Sequence, residues 1–478
     1  MDTTKTIINN SGFVFLGNIT ARAFSFIISL FIARYLGTYG FGNYSFLLAF
    51  IYFIKMIDDI WLKQIIIREL TLCNQDKRSV IIGNVIIMKL ALSLLILIII
   101  FPIKFALTSS TSNLFYLVLT IIPLICIISS YETIFHVYLK MKYVFLSEFI
   151  GNCLLITLTV GIITTRGDIS HFLISIICTN ILILLLLIKS SKRFVVPQFK
   201  IQFNLWVTIL KNSLPLFFTA FFIAIYNRID HFMIYKMLGP SSVGSYSAAV
   251  KIIEPLALIP ISLSISIFPL MTNFFSTSRE NFEKIYQSSF RYLALFIMPV
   301  SMILTLFSRE IIIIVYGADF SSSSLILSIL IWSQIFIFFG TINKQILIAT
   351  KNQKLDPFFT GPSAFINIIL NLVLIPRIGV YGAAIATVIS SALGPVMGYF
   401  IHTTKNYSLY MLKCSFKPFI SSLIMAMLIY IIHLPFIILF ILSPVIYISV
   451  LFLIKGINNS DFKIIKSIIL KRKITFIS

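Results

Sequence analysis

Residues Leu36–Ser45 read LGTYGFGNYS, and residues Leu238–Ser247 read LGPSSVGSYS. Both fit LGxxxxGxYS, and each copy stands between the first and second apolar stretches of a block of six. Six is an even number, so two such blocks enter a membrane in the same orientation and are related by an axis along the membrane normal. The repeat therefore predicts two pseudo-symmetric six-helix bundles around a central cleft.

The rest of the chain supports a spanning architecture. Of 478 residues, 59% are hydrophobic and 11% charged, against about 25% charged in an ordinary soluble domain. Crossing a hydrocarbon core takes about 20 mostly apolar helical residues. Such runs occur near 11–34, 43–62, 80–101, 113–138, 144–163, 170–188, 212–236, 243–270, 288–308, 322–349, 357–375, 380–402, 416–432 and 436–454. The expected fold is an all-α integral membrane protein of about fourteen transmembrane helices. Its N-lobe covers 1–195, a cytoplasmic linker 196–211, and a C-lobe 212–403, while 404–478 adds two helices and a basic cytoplasmic tail. The first apolar stretch runs past signal-peptide length without a small-residue cleavage site and is read as a retained helix. Pro123, Pro215, Pro255, Pro260, Pro299 and Pro395 fall inside apolar runs and predict kinks.

A net charge of +22 would suggest nucleic acid for a soluble protein. Here the basic residues follow topology: predicted cytoplasmic loops and tails hold most of them, and external loops hold few, among them Arg34, Arg166 and Arg377. That alternation is what the positive-inside rule requires, and it places both termini in the cytoplasm of a multi-pass inner-membrane protein. A twelve-helix chain keeps the same parity. Cys73, Cys126, Cys153, Cys178 and Cys414 stand far apart and read as buried structural thiols. The histidines form no metal-binding pattern, so no metal and no cofactor are expected.

Four stretches, ARYLGTYGFGNYS (Ala33–Ser45), YNRID (Tyr226–Asp230), LGPSSVGSYSAA (Leu238–Ala249) and IPRIGVYGAA (Ile375–Ala384), together resemble the Wzx-type polysaccharide flippases. These belong to the multidrug/oligosaccharidyl-lipid/polysaccharide (MOP) exporter superfamily. The resemblance implies the MATE-like fold, a cationic lumen, and transport rather than enzymatic chemistry. Its implied cargo is an undecaprenyl-pyrophosphate-linked oligosaccharide, moved from the cytoplasmic to the outer leaflet for O-antigen of lipopolysaccharide or another surface polysaccharide. Implied partners are membrane lipid, a polysaccharide polymerase and chain-length machinery. The resemblance also aligns Arg22 with a lumen arginine of the related lipid II flippases. Where those proteins carry a second arginine six residues later, this chain has Ile28.

A charge at the centre of a spanning helix costs roughly 2.5–3.5 kcal/mol, so intramembrane cations must face a wet interior or a partner. Arg22, Lys55, Lys89, Arg228, Lys251 and Lys344 fall inside predicted helices and are the candidate substrate-binding cations. Lys55 precedes Asp58 and Asp59 by three and four residues, and Lys251 precedes Glu254 by three, spacings that also suit self-neutralised pairs. Glu132 and His136 have the same relation. Arg22, Lys89, Arg228 and Lys344 have no acid three or four residues away; for Lys89 and Lys344 the alternative is snorkelling to the interface. Arginine suits pyrophosphate because its fork offers paired donors to phosphate oxygens. Asp58, Asp59, Asp230 and Glu254 are the candidates for coupling to protons or sodium. Two other functions fit the composition: a drug/cation antiporter of the same superfamily, which would favour acidic sites, and a membrane polysaccharide polymerase or ligase, which would need a longer external loop.

Overall fold

The computed structural model describes residues 3–102, 109–400, 404–432 and 434–456. The basic tail expected beyond 456 lies outside them. Fifteen α-helices follow in order: α1 Thr3–Leu72, α2 Gln75–Ile100, α3 Ser109–Val137, α4 Lys142–Thr164 and α5 Ile169–Ser191. Next come α6 Phe203–Leu238, α7 Pro240–Ile253, α8 Leu258–Thr277, α9 Arg279–Leu306 and α10 Ser308–Tyr316. The last five are α11 Ser323–Ala349, α12 Asp356–Ile378, α13 Val380–Phe400, α14 Lys405–Ile431 and α15 Phe436–Leu453.

Among the described residues, twelve helices are long and apolar enough to cross a membrane, thirteen when Phe203–Leu214 and Leu216–Leu238 are joined as one span bent by 57°. That bend falls at position 215, where a kink was expected. The expected spans 11–34 and 43–62 both lie in the run Asn10–Leu72, which is two helices joined at a break, so a count by length and composition stops short of the expected fourteen. At 1.5 Å per residue this run would reach about 95 Å if straight, some three hydrocarbon cores. It is broken at Gly37, whose φ of 64° and ψ of −174° are not helical. Gly239, between α6 and α7, has φ 85° and ψ −180°. The two repeat copies thus share one backbone break in a region that glycine enters at little cost.

The second repeat glycine has a different role. A Cβ on Gly42 would lie 1.8 Å from the Pro240 carbonyl oxygen, and one on Gly244 would lie 2.0 Å from that of Thr38. Thr38 and Pro240, like Gly42 and Gly244, occupy matching repeat positions, so α1 and α7 cross reciprocally at a glycine pair. Lipid tails are as apolar as leucine, so helices in a bilayer associate through close packing, which small residues permit. Gly42→Ala and Gly244→Ala are each expected to cost about 1–3 kcal/mol, the range for overpacking a tight contact. A thermal unfolding midpoint in detergent checks this, and an unchanged midpoint in either variant would contradict it.

Chain contacts group the helices into two units: Met1–Leu258 with Ile312–Ile326 and Pro357–Ser390, and Ile259–Ile311 with Leu327–Asp356 and Ser391–Ser478. In the first, Ile66, Ile134, Phe135 and Leu187 are fully buried in one core, and the second arm of α1 meets α6 through a Phe46–Tyr235 stack at 3.7 Å. The linker segment packs against α2. A Cβ on Gly83 would meet the Gln198 carbonyl at 2.0 Å, the Gln198 amide donates to Ser79 O at 2.9 Å, and Asn84 Oδ1 accepts from the Gln202 amide at 2.7 Å. From Phe203 onward the stretch expected as linker is helical. In the second unit, Met425, Leu451 and Tyr447 pack with Met302 and Phe307, and Tyr447 donates to Leu295 O at 3.1 Å. Of the cysteines only Cys126 is buried; Cys153 and Cys178 are exposed on α4 and α5, which corrects their reading as buried thiols.

Candidate functional site

Pro255 sets the local geometry of the site. It has no amide hydrogen, so α7 cannot continue regularly through it, and the chain tightens into a 3-10 turn over Glu254–Ala257. The Leu258 amide then bonds the carbonyls of Leu256 and Pro255, and the Glu254 carbonyl is turned toward α1. There it accepts from Arg22 Nη1 at 2.8 Å.

The Glu254 side chain gathers two more cations. Arg228 Nη2, from α6, donates to its Oε1 at 3.3 Å, and Lys251 Nζ, from the last turn of α7, donates to its Oε2 at 3.0 Å. Lys251 Nζ also reaches Ser25 Oγ at 3.3 Å. Tyr52, on the second arm of α1, lies beneath both cations, with Arg228 Cζ 4.7 Å and Lys251 Nζ 5.6 Å from its ring centre. The negative face of an aromatic ring attracts such cations without neutralising them. Arg22, Ser25, Phe26, Lys251, Glu254 and Pro255 line a small, partly open cavity. Three cations around one carboxylate leave two formal positive charges beside this cavity. Arg228 Nε is buried with no hydrogen-bond partner, so its donor capacity is not exhausted.

The repeat explains how these side chains fit together. The repeat counterparts of Arg22 and Lys251 are Ala224 and Ala49, both fully buried, and the counterpart of Arg228 is Phe26, which lines the same cavity. Small or apolar residues in one copy make room for charges carried by the other. Ile28, at the position of the second arginine in the lipid II flippases, is buried.

The remaining candidates are placed otherwise. Lys89 is 1% exposed and donates to Asp58 Oδ2 at 2.8 Å and Ser129 Oγ at 3.0 Å, so it is a buried cross-helix pair and does not snorkel. Lys55 forms no hydrogen bond or ion pair with Asp58 or Asp59 among the described residues. Asp59 instead holds Lys63 at 3.2 Å, and Lys63 bonds Glu132 at 2.6 Å. Glu132 is therefore paired with Lys63 and not with His136. Lys344, in the second unit, is exposed and reaches Asp356 at 3.3 Å.

Asp230 is buried and takes neutral donors: Tyr246 Oη at 2.7 Å, Asn371 Nδ2 at 2.6 Å and Thr387 Oγ1 at 2.9 Å. Among the described residues no Lys, Arg or His lies within ion-pair distance of it. Asn371 Oδ1, in the same network, is a buried acceptor without a donor. Sequence reading missed Lys63, placed just beyond the end of its helix, and also Tyr52, Ser25 and Glu148. For Lys63 the four-residue spacing from Asp59 was an available signal.

The family model described as polysaccharide biosynthesis protein matches residues 7–275, and one described as MatE matches residues 215–373. The probable low-salt glycan biosynthesis flippase Agl15 of Haloferax volcanii is 30% identical over 173 residues, which is 36% of this chain and 37% of that protein. The curated relatives it matches are spanned over about a third to a half of their length. Among solved structures, the lipid II flippase MurJ in an inward closed conformation matches with a TM-score of 0.77 at 19% identity, over 91% of this chain and 97% of that one. An inward-facing MATE multidrug resistance transporter of the MOP superfamily matches at 0.65 and 13%, over 83% and 95%. The fold is that of these all-helical membrane proteins.

Proposed function

The chain belongs to the polysaccharide biosynthesis protein family, and from that membership we propose that it is a flippase for lipid-linked oligosaccharides, working by alternating access. The observation that carries this reading is the cluster of Arg22, Arg228 and Lys251 around Glu254. Its two uncompensated charges complement a pyrophosphate of about two negative charges, which binds arginine through paired charge-assisted hydrogen bonds. The phosphate binds Arg22 and Arg228 while Glu254 keeps Lys251, so no carboxylate is left without a cation.

In this reading the cargo is an undecaprenyl-pyrophosphate-linked repeat unit for O-antigen or another surface polysaccharide. It moves from the cytoplasmic to the outer leaflet of the inner membrane, with both termini of the protein in the cytoplasm. The pyrophosphate and sugar occupy the interior between an N-lobe over 1–195 and a C-lobe over 212–403, and the polyprenyl tail stays in lipid. An inside-negative potential of 100 mV favours outward movement of two negative charges by roughly 4–5 kcal/mol. If an ion is coupled as well, the support favours Asp230, because Asp58, Asp59 and Glu254 are engaged by lysine or arginine. A polymerase or chain-length partner would receive the product.

Purified protein in vesicles carrying fluorescent undecaprenyl-pyrophosphate glycan tests the proposal, with an impermeant glycosidase reporting the leaflet. The expected result is protein-dependent exchange that quickens when a potassium diffusion potential pulls negative charge outward from the substrate-loaded leaflet. Efflux of an organic cation with no movement of the glycan lipid would replace this reading with the antiporter.

A further inference from the structure

Below the cation cluster, the second arm of α1 carries Tyr52, Lys55, Asp59 and Lys63 at steps of three, four and four residues, which puts them on one helix face. Tyr52 touches the cluster, and Lys63 is bonded into Asp59 and Glu132. The stripe covers about 16 Å along the helix. In its middle stands Lys55, exposed, whose electrostatic neighbours are Glu132 and Asp59, both already held by Lys63, and then Glu148 of α4, half-buried. Among the described residues neither Lys55 nor Glu148 makes a hydrogen bond or an ion pair.

This sets Lys55 and Glu148 apart from the other ionisable side chains around them. Asp58, Asp59, Glu132 and Glu254 are each paired with a cation, and Asp230 takes three neutral donors. Facing the Glu148 carboxylate from the first arm of α1 is Gly17, where even a Cβ would stand 3.8 Å from Oε2. No side chain from that position covers the carboxylate. A charge held in a spanning segment without a partner is costly, and a ligand that supplies the missing bonds recovers that cost on binding.

We propose that Lys55 and Glu148 read the sugar end of the cargo, separately from the cations that bind its pyrophosphate. Glu148 accepts hydrogen bonds from sugar hydroxyl or acylamino groups, and Lys55 donates to a hydroxyl or carboxylate acceptor on the same unit. The assignment rests on the flippase reading and divides its site in two: the pyrophosphate lies against Arg22, Arg228 and Lys251, and the glycan extends along the α1 stripe.

Binding to the full-length detergent-solubilised protein tests this with two probes, sugar-free undecaprenyl pyrophosphate and the lipid-linked glycan extracted from the native host. Glu148→Gln keeps side-chain shape, Lys55→Gln replaces the ammonium by a neutral amide, and an unchanged unfolding midpoint shows that each variant folds. Each is expected to weaken the glycan-bearing probe about tenfold, the loss of a hydrogen bond to a charged group. The sugar-free probe should stay within about twofold, because neither side chain bonds Arg22, Arg228, Lys251 or Glu254. Equal weakening of both probes, or no change in either, would overturn the assignment alone. Wild-type protein that binds neither probe would overturn it together with the flippase reading.

Discussion

Lys89→Met should destabilise the folded protein by about 3–5 kcal/mol, because it leaves Asp58 as an uncompensated buried charge. The lysine is 1% exposed, with its ammonium 2.8 Å from the carboxylate. Removing both charges is a different experiment. A Lys89→Met, Asp58→Leu double variant should recover most of the loss, since replacing a whole buried pair by apolar groups of similar volume is often neutral. Thermal unfolding of the single and double variants in detergent measures the coupling. A Lys89→Met protein of unchanged stability that binds undecaprenyl pyrophosphate poorly would instead return Lys89 to the substrate-binding role that its lack of a neighbouring acid in sequence suggested.

The second large effect falls on transport. In the Arg22→Ala, Arg228→Ala variant the cluster keeps Lys251 against Glu254 and has no net charge to offer. Hydrogen bonds to charged groups contribute about 1.5–3 kcal/mol each, so the pair should account for at least about 3 kcal/mol, or more than a hundredfold in apparent affinity for the pyrophosphate. Stability should change less, because Arg22 and Arg228 are only part-buried and the Glu254 carboxylate retains Lys251. Flipping in vesicles and the unfolding midpoint separate the two effects. Transport within a few-fold of wild type would remove the cluster from the mechanism.

How much of this was legible in the sequence depended on range. The two LGxxxxGxYS copies could be read directly, because a positive-φ break and a close helix crossing both demand glycine at fixed positions. Arg22, Arg228, Lys251 and Glu254 could each be singled out as charges inside apolar runs. Their convergence could not, since it depends on where α1 lies against the turn after α7, and no local spacing records that. Lys55 shows the opposite failure: its spacing to Asp58 and Asp59 satisfies the helix rule, but cross-helix partners on α2 and α3 compete. Lys89 claims Asp58, and Lys63, bridging to Glu132, claims Asp59. The linker was read from its basic residues, which concealed a helix starting at Phe203. Glu148 drew no notice because an isolated glutamate in an apolar helix carries no pattern until its neighbours are known.

In the proposed function, lipid-linked glycan passes between leaflets by way of the arginine cluster. Depleting the protein in its native host and following radiolabelled undecaprenyl-pyrophosphate sugar units in spheroplasts, with an impermeant lectin scoring the leaflet, tests it most directly. Complete units should accumulate in the inner leaflet and be released by wild-type protein but not by the Arg22→Ala, Arg228→Ala variant at equal abundance. Units that reach the outer leaflet at the normal rate after depletion would contradict the claim.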